Sequence, residues 1–373
     1  MNASGLVRLA AAWGSVGFFL LFGNVLLSQL ENPIMATVAF AWLFGVIIWA
    51  AFGVVHEAEE LAEILGEPYG TLILTLSIVI IEVALIAAVM LGAKEAPTLG
   101  RDTMFAVLMI VLNGVVGVGL LVGGHRHHQQ TFNLQGASAY LAVLIPLTFI
   151  SLVLPNLTTS TTDGSLTIFQ AIAFSVFTIA LYGIFLVIQT GRHQAFFVFP
   201  NESREDAKDP AVLVPNERKD TEQLGVLPHT GLLLANILPI VILSKSLATV
   251  LDHGIAVLGA PTALGGILIA MIVFTPEGIS ALKAVAANEL QRAINLCLGA
   301  ATSTVGLTVP AILFIGLFTG QQVVLGLSPS NMALLVMTLI LSIVTFTASA
   351  TTVLQGAVHL VMFLVFMVLV FSP

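Results

Sequence analysis

Two glutamates stand where a charge has few places to go. Glu82 lies in LTLSIVIIEVALIAAVML and Glu277 in GILIAMIVFTPEGISAL, apolar stretches long enough to cross a bilayer. A carboxylate at mid-membrane costs about 2.5–3.5 kcal/mol on insertion scales, and residues of this kind usually face a cavity or an ion path. The two stretches occupy corresponding places in the two halves of the chain, which suggests one shared cation or proton site. Pro276 immediately precedes Glu277. A proline inside a helix removes a hydrogen bond and frees a carbonyl; beside a carboxylate, that oxygen suits hard cations such as calcium and sodium. Burial favours a protonated carboxyl and a bound cation favours an ionised one, so proton and metal would compete for the same oxygens. The plainer reading is a pair of protonated carboxyls bonded to neighbouring helices, and two at matching positions weigh against it.

Other polar residues have weaker claims. Asn113 and Ser303 lie inside apolar runs and could add neutral oxygens, although such residues more often bond a neighbouring helix. Lys245 can snorkel or pair with an acid, and His359 can hydrogen-bond a neighbour. The segment HEAEELAEILGEP, His56 to Pro68, holds five glutamates and reads as an acidic mouth, with Glu59 and Glu60 among them, or as a solvated helix end. It resembles the zinc-protease pattern HExxH but has Glu60 in place of the second histidine, so it fails that test. The tract His125-Arg126-His127-His128 could take up metal adventitiously and reads better as a loop. There is no phosphate-binding Walker sequence, nucleophile elbow or haem-attachment motif, which argues against an ATP-driven pump or an enzyme.

The chain of 373 residues that carries these side chains is 58% hydrophobic and 9% charged, with a mean hydropathy of +1.05. That composition implies an all-α integral membrane protein. Eleven apolar runs reach crossing length, near residues 10–30, 34–58, 68–92, 103–123, 137–155, 167–190, 229–250, 262–284, 291–318, 332–349 and 352–371. The first is too long for a signal-peptide core and lacks a small-x-small cleavage site, so it reads as a retained helix. The single cysteine, Cys297, can form no internal disulfide. The net charge of −8 sits largely in loops and gives no reason to expect nucleic acid as a partner; the partner is the lipid bilayer.

With the N-terminus on the cytoplasmic side, inside segments hold Arg8, Arg126, Arg192, Arg204, Lys208, Arg218, Lys219, Lys283 and Arg292, and outside segments only Lys94 and Arg101. This bias predicts a cytoplasmic N-terminus, an external C-terminus and an odd number of crossings. The one long polar segment, residues 196–228, reads as an acidic cytoplasmic linker. It separates residues 33–195 from residues 229–373, five helices each, with residues 1–32 forming an accessory first helix. Five is odd, so related halves must be inverted, as in many secondary transporters. GEPYGTLIL…IIE at residues 66–82 can be laid on GAPTALGGIL…TPE at 259–277. FQAIAFSVF and LQGAVHLVMF place Gln170 and Gln355 at one repeat position.

Taken together, GVVHEAEELAEILGEPYGTLILTL leading into IIEVALI, the segment TPEGISALKAVAANELQRAINLCLGAATSTVGLTVP, and LYGIFLVIQTGRHQAFF resemble the calcium/proton exchangers of the cation/calcium exchanger superfamily. The likeness is closest to the bacterial calcium(sodium)/proton antiporter branch and spans nearly the whole chain. It implies a prokaryotic inner-membrane antiporter without a resident cofactor, exchanging Ca2+ in the first place, with Na+ or K+ as further cargo, for H+. The resemblance places the ion on Glu82 and Glu277, with Asn113 and Ser303 nearby and Glu59 at the cytoplasmic end of the first repeat helix. The linker matches a segment that regulates some relatives. One departure stands out. Many relatives carry Gly-Asn-Ala-Val/Ala-Glu ahead of the critical acid, and here both asparagines give way to apolar residues, in Ile78-Val-Ile-Ile-Glu82 and Val273-Phe-Thr-Pro-Glu277. Calcium favours six to eight oxygens, so a monovalent cation/proton antiporter is the alternative expectation; a channel is a more distant one.

Overall fold

A chain with no water around its middle must satisfy backbone N–H and C=O groups along its own axis, and helices do this. The computed structural model describes residues 3–66, 69–92, 96–191, 193–198, 218–348 and 350–372. They form eleven long helices, α1 (Ala3–Leu27), α2 (Pro33–Leu65), α3 (Tyr69–Gly92), α4 (Leu99–His127), α5 (Leu134–Asn156), α6 (Ile168–Thr190), α7 (Arg218–Leu258), α8 (Ala263–Ala286), α9 (Leu290–Thr319), α10 (Pro329–Phe346) and α11 (Val353–Phe371). Each is long and apolar enough to span a membrane. Among the described residues there is no β-strand, only the isolated bridges Gln130–Thr351 and Ser165–Val324.

Boundaries follow local chemistry. Asn32 caps α2 by accepting from the Ile34 N–H at 3.0 Å, with Pro33 at the first helical position, where its missing N–H is harmless. Thr167 and Gln170 form a reciprocal capping box at the start of α6. At the start of α11 the Thr352 N–H donates to Gln355 Oε1 at 2.9 Å. The same Thr-x-x-Gln device thus begins the last helix of each five-helix repeat.

Two expected boundaries shift. α1 begins at Ala3, not near residue 10, so Arg8 lies within the helix rather than before it. α7 begins at Arg218, inside the segment read as linker, because RKDTEQL is rich in residues that favour helix. The acids between residues 199 and 217 lie outside the described residues.

The helices fall into two compact units. The first comprises Met1–Leu99 and Leu213–Pro276, where α2 packs on α7, α3 on both, and α1 along α2 and α7. Gly53 of α2 leaves room there for the side-chain ends of Asn236 of α7 and Arg8 of α1, which a Cβ would push aside. The second comprises Gly100–Val212 and Glu277–Pro373, where α4 packs on α11 and α9 on α6. Those two pairings are the same pairing in repeat terms, the third helix of one repeat against the fifth of the other. At the α4–α11 crossing the backbones nearly touch: a Cβ on Gly117 would lie 2.8 Å from the Leu360 nitrogen, and one on Gly356 2.6 Å from the Leu121 nitrogen.

Three helices carry a π-helical turn, α4 at Ile110–Val115, α5 at Phe149–Val153 and α9 at Thr304–Thr308. A π turn inserts a residue, shifts the register of everything beyond it and is frequent at functional sites. Pro146 in α5 and Pro310 in α9 lie within a turn of two of them.

The glycine crossing yields a stability test. Gly117→Val is expected to cost about 1–3 kcal/mol through overpacking, lowering the thermal midpoint of the purified protein in detergent. Gly231→Ala, on a stretch of α7 with nothing near the added atom, is expected to leave the midpoint unchanged or slightly raised.

Candidate functional site

The two membrane glutamates are both buried, Glu82 at 0% and Glu277 at 5% exposure. Glu82 sits on α3, against α2 and α7 of the first unit. Ser77, nearby on the same helix, returns its hydroxyl to the Ile73 carbonyl at 2.7 Å. Glu277 belongs to the second unit and follows Pro276, through which α8 runs without a break. Pro276 has no N–H, so the Ile272 carbonyl one turn earlier loses its helical donor. Val79 and Phe274, the two positions at which the sequence departs from the resemblance, are buried apolar side chains.

Asn113 lies in the π turn of α4 and is fully buried. Its amide is already occupied: Nδ2 donates to Thr338 Oγ1 of α10 at 2.8 Å, and Oδ1 lies 3.1 Å from His359 Nδ1 of α11. Ser303 is buried at the entrance to the π turn of α9 and donates to the Ala300 carbonyl at 3.1 Å. Lys245 is exposed on α7, where its long stem can carry the ammonium toward an interface.

The acidic end of α2 is organised differently from a bare run of glutamates. Glu59 and Glu60 are half-buried, and the deeply buried acid is Glu57. Its Oε2 lies 2.8 Å from His229 Nδ1 of α7. Around the pair is a polar cavity of about 240 Å³ lined by Ser4, Arg8, His56, Glu57, Glu60 and His229. The tract at residues 125–128 ends α4, with His127 Nε2 3.2 Å from the Ala286 carbonyl. Among the described residues no three His, Cys, Asp or Glu side chains converge as a metal-holding group.

Reading the sequence alone missed two features. One is the polar stripe Thr338–Ser342–Thr345 on α10, each residue fully buried; its spacing of four and three is the helical period and was the available signal. The other is the Glu57–His229 pair, which joins residues 172 apart and left no local pattern.

The model for the sodium/calcium exchanger protein family matches residues 35–191 and 228–372. The chain belongs to that family. It is therefore a membrane cation exchanger, not an enzyme of covalent chemistry. It is 41% identical over 330 residues to the protein y4hA of Sinorhizobium fredii (strain NBRC 101917 / NGR234), covering 88% of this chain and 87% of that one. It is 38% identical over 340 residues to the sodium-potassium/proton antiporter ChaA of Escherichia coli (strain K12), covering 91% and 90%. Its fold matches that of native YfkE, with a TM-score of 0.73 at 17% identity, over 99% of this chain and 100% of that one. The H+/Ca2+ exchanger CAX matches with a TM-score of 0.69 at 13% identity, over 98% and 89%. These two likenesses establish the exchanger fold.

The pair at the end of α2 carries its own prediction. His229→Ala removes the 2.8 Å partner of Glu57 and is expected to destabilise the purified protein by about 1 kcal/mol, since the histidine is partly solvated. His229→Gln, which can still donate, is expected to recover part of that loss in the same thermal unfolding measurement.

Proposed function

We propose that this chain exchanges monovalent cations, sodium and potassium, for protons across a prokaryotic inner membrane, with its N-terminus in the cytoplasm. Glu82 and Glu277 bind cation and proton in turn, with the buried Asn113 and Ser303 as neutral oxygen donors beside them. The observation that carries this reading is a carboxylate buried in the matching helix of each repeat, with Val79 and Phe274 where extra neutral oxygens would be needed. Two carboxylates reach the six to eight oxygens that calcium favours only with several neutral donors beside them, and Val79 and Phe274 offer none. A monovalent ion, with half the charge, loses less on dehydration and needs less from each replacing ligand. The relation to ChaA, whose name gives sodium, potassium and protons, supports the same cargo.

Coupling needs no separate proton path. A carboxylate holding a cation is ionised, and one released from it in a buried place gains from protonation. Cation and proton thus exclude each other, which is the condition for antiport. The half-buried Glu59 and Glu60 raise the local cation concentration at the cytoplasmic mouth.

Calcium/proton exchange is the second reading. It is favoured by the presence of two carboxylates, whose combined charge matches a divalent ion, and by a fold shared with the exchanger CAX.

Proteoliposomes with an imposed pH gradient and a pH-sensitive dye separate these readings. Added NaCl or KCl is expected to dissipate the gradient, and Glu82→Gln or Glu277→Gln is expected to reduce the response to that of empty liposomes while accumulating normally. A response to CaCl2 alone would establish the second reading. Full transport by either glutamine variant would sink the carboxylate mechanism for both.

A further inference from the structure

His359 is a fully buried imidazole in the middle of α11, and the scheme above gives it no task. It belongs to a hydrogen-bond chain that crosses three helices of the second unit. Asn113 Nδ2 donates to Thr338 Oγ1 at 2.8 Å and also lies 3.5 Å from Met109 Sδ. A thioether sulfur can only accept, so the NH2 end of the amide belongs on that side. Oδ1 therefore faces His359 Nδ1 at 3.1 Å and accepts from it in the Nδ1–H tautomer, and the ring also hydrogen-bonds the Leu112 backbone. Nε2 is then left to accept from the Thr345 hydroxyl at 2.9 Å. Thr338 in turn directs its proton toward Met109 Sδ at 3.7 Å. Hydrogens run one way along the chain, from Thr345 through His359 and Asn113 to Thr338 and Met109, and every one of these side chains is fully buried.

Packing does not require this arrangement. The equivalent crossing in the same unit, α9 on α6, is made without it: there Gly306 of the π turn rests on the Tyr182 ring. The residue four after Gln355 is His359, whereas the residue four after Gln170, its repeat counterpart, is Phe174. Two copies of one architectural contact thus differ at this position: one has a phenylalanine, the other a histidine that bonds a carboxamide in a π turn.

We infer that His359 is a positioning residue for cation recognition, holding the Asn113 carboxamide so that its oxygen presents the remaining lone pair as a neutral ligand. The inference rests on the carboxylate antiporter reading above, with Asn113 at the ion. A carbonyl oxygen has two lone pairs, and one bond from His359 leaves the other free. Without that bond the amide can turn about its last torsion and offer NH2, which repels a cation. Residues that orient a metal ligand commonly change affinity by about 10–100-fold when removed. A neutral oxygen acts on cation binding more than on the rate of reorientation, so the effect should fall on the apparent KM for the cation.

The test is cation-dependent proton movement in proteoliposomes, with KM and maximal rate determined separately for Na+, K+ and Ca2+. For the cation transported, His359→Leu is expected to raise KM about tenfold with a maximal rate near that of the parent. His359→Gln, which keeps a donor, is expected to restore most of the affinity. Asn113→Ala is expected to raise KM by itself, and adding His359→Leu to it to bring no further rise, because the histidine acts through the asparagine. An unchanged KM in His359→Leu overturns the inference, as does a rise that adds to that of Asn113→Ala. Should His359→Leu not accumulate, Thr338→Val approaches the amide from its other end; a raised KM supports the inference, and a parental KM overturns it. Glu82→Gln run in parallel separates the two levels. If Glu82→Gln transports, the carboxylate reading has failed and this one with it; if it is inactive while His359→Leu behaves as the parent, only the positioning role has failed.

Discussion

Every polar group in the membrane interior of this exchanger must find its partner within the protein, because the hydrocarbon offers none. The hydroxyls show the simplest answer. Thr148 donates to the Leu144 carbonyl, Thr302 to Leu298 and Ser77 to Ile73, each one turn back along its own helix. Asn236 does the same with its amide toward Leu232. Such bonds let a helix carry polar atoms without depending on a neighbour. Carboxylates have no hydrogen to give a carbonyl when ionised, so this answer is closed to Glu82 and Glu277. In the mechanism proposed above, their protonation state follows the cation.

A second constraint comes from duplication. The third and fifth helices of opposite repeats pair twice, α4 with α11 and α9 with α6, and at both crossings a glycine brings the elements close. The π turns of α4 and α9 recur at this third-helix position. Where the two copies agree, architecture is sufficient explanation. Where they part, as at His359 and Phe174, a side chain has been kept or lost for some reason other than the crossing itself.

Length and hydropathy made the helices legible in the sequence, because a span of about 20 apolar residues is a demand of the bilayer and is independent of neighbours. The odd number per repeat, and hence the inversion, followed from that count. Glu82 and Glu277 were legible for the opposite reason: they are acids in the middle of apolar runs, at matching places in the two halves. The π turns were not, since a single inserted residue leaves the composition of a helix unchanged. The early starts of α1 and α7 were hidden because polar helical ends outside the membrane look like loop to a hydropathy reading. Asn113 was recognised as polar and buried, but its partners Thr338 and His359 lie 225 and 246 residues away. Partnerships at that separation are products of the fold.

The capping boxes of α6 and α11 bear on how such a protein can arise. Thr167 with Gln170 and Thr352 with Gln355 start their helices using uncharged side chains. Neither helix contains an Asp, Glu, Lys or Arg. Nothing in such a segment tells the insertion machinery which end should remain in the cytoplasm, since that choice is read from basic residues in the flanking loops. An electrically neutral module can therefore be turned over in the bilayer by editing its connections alone. Its interior, caps included, serves equally well in either direction.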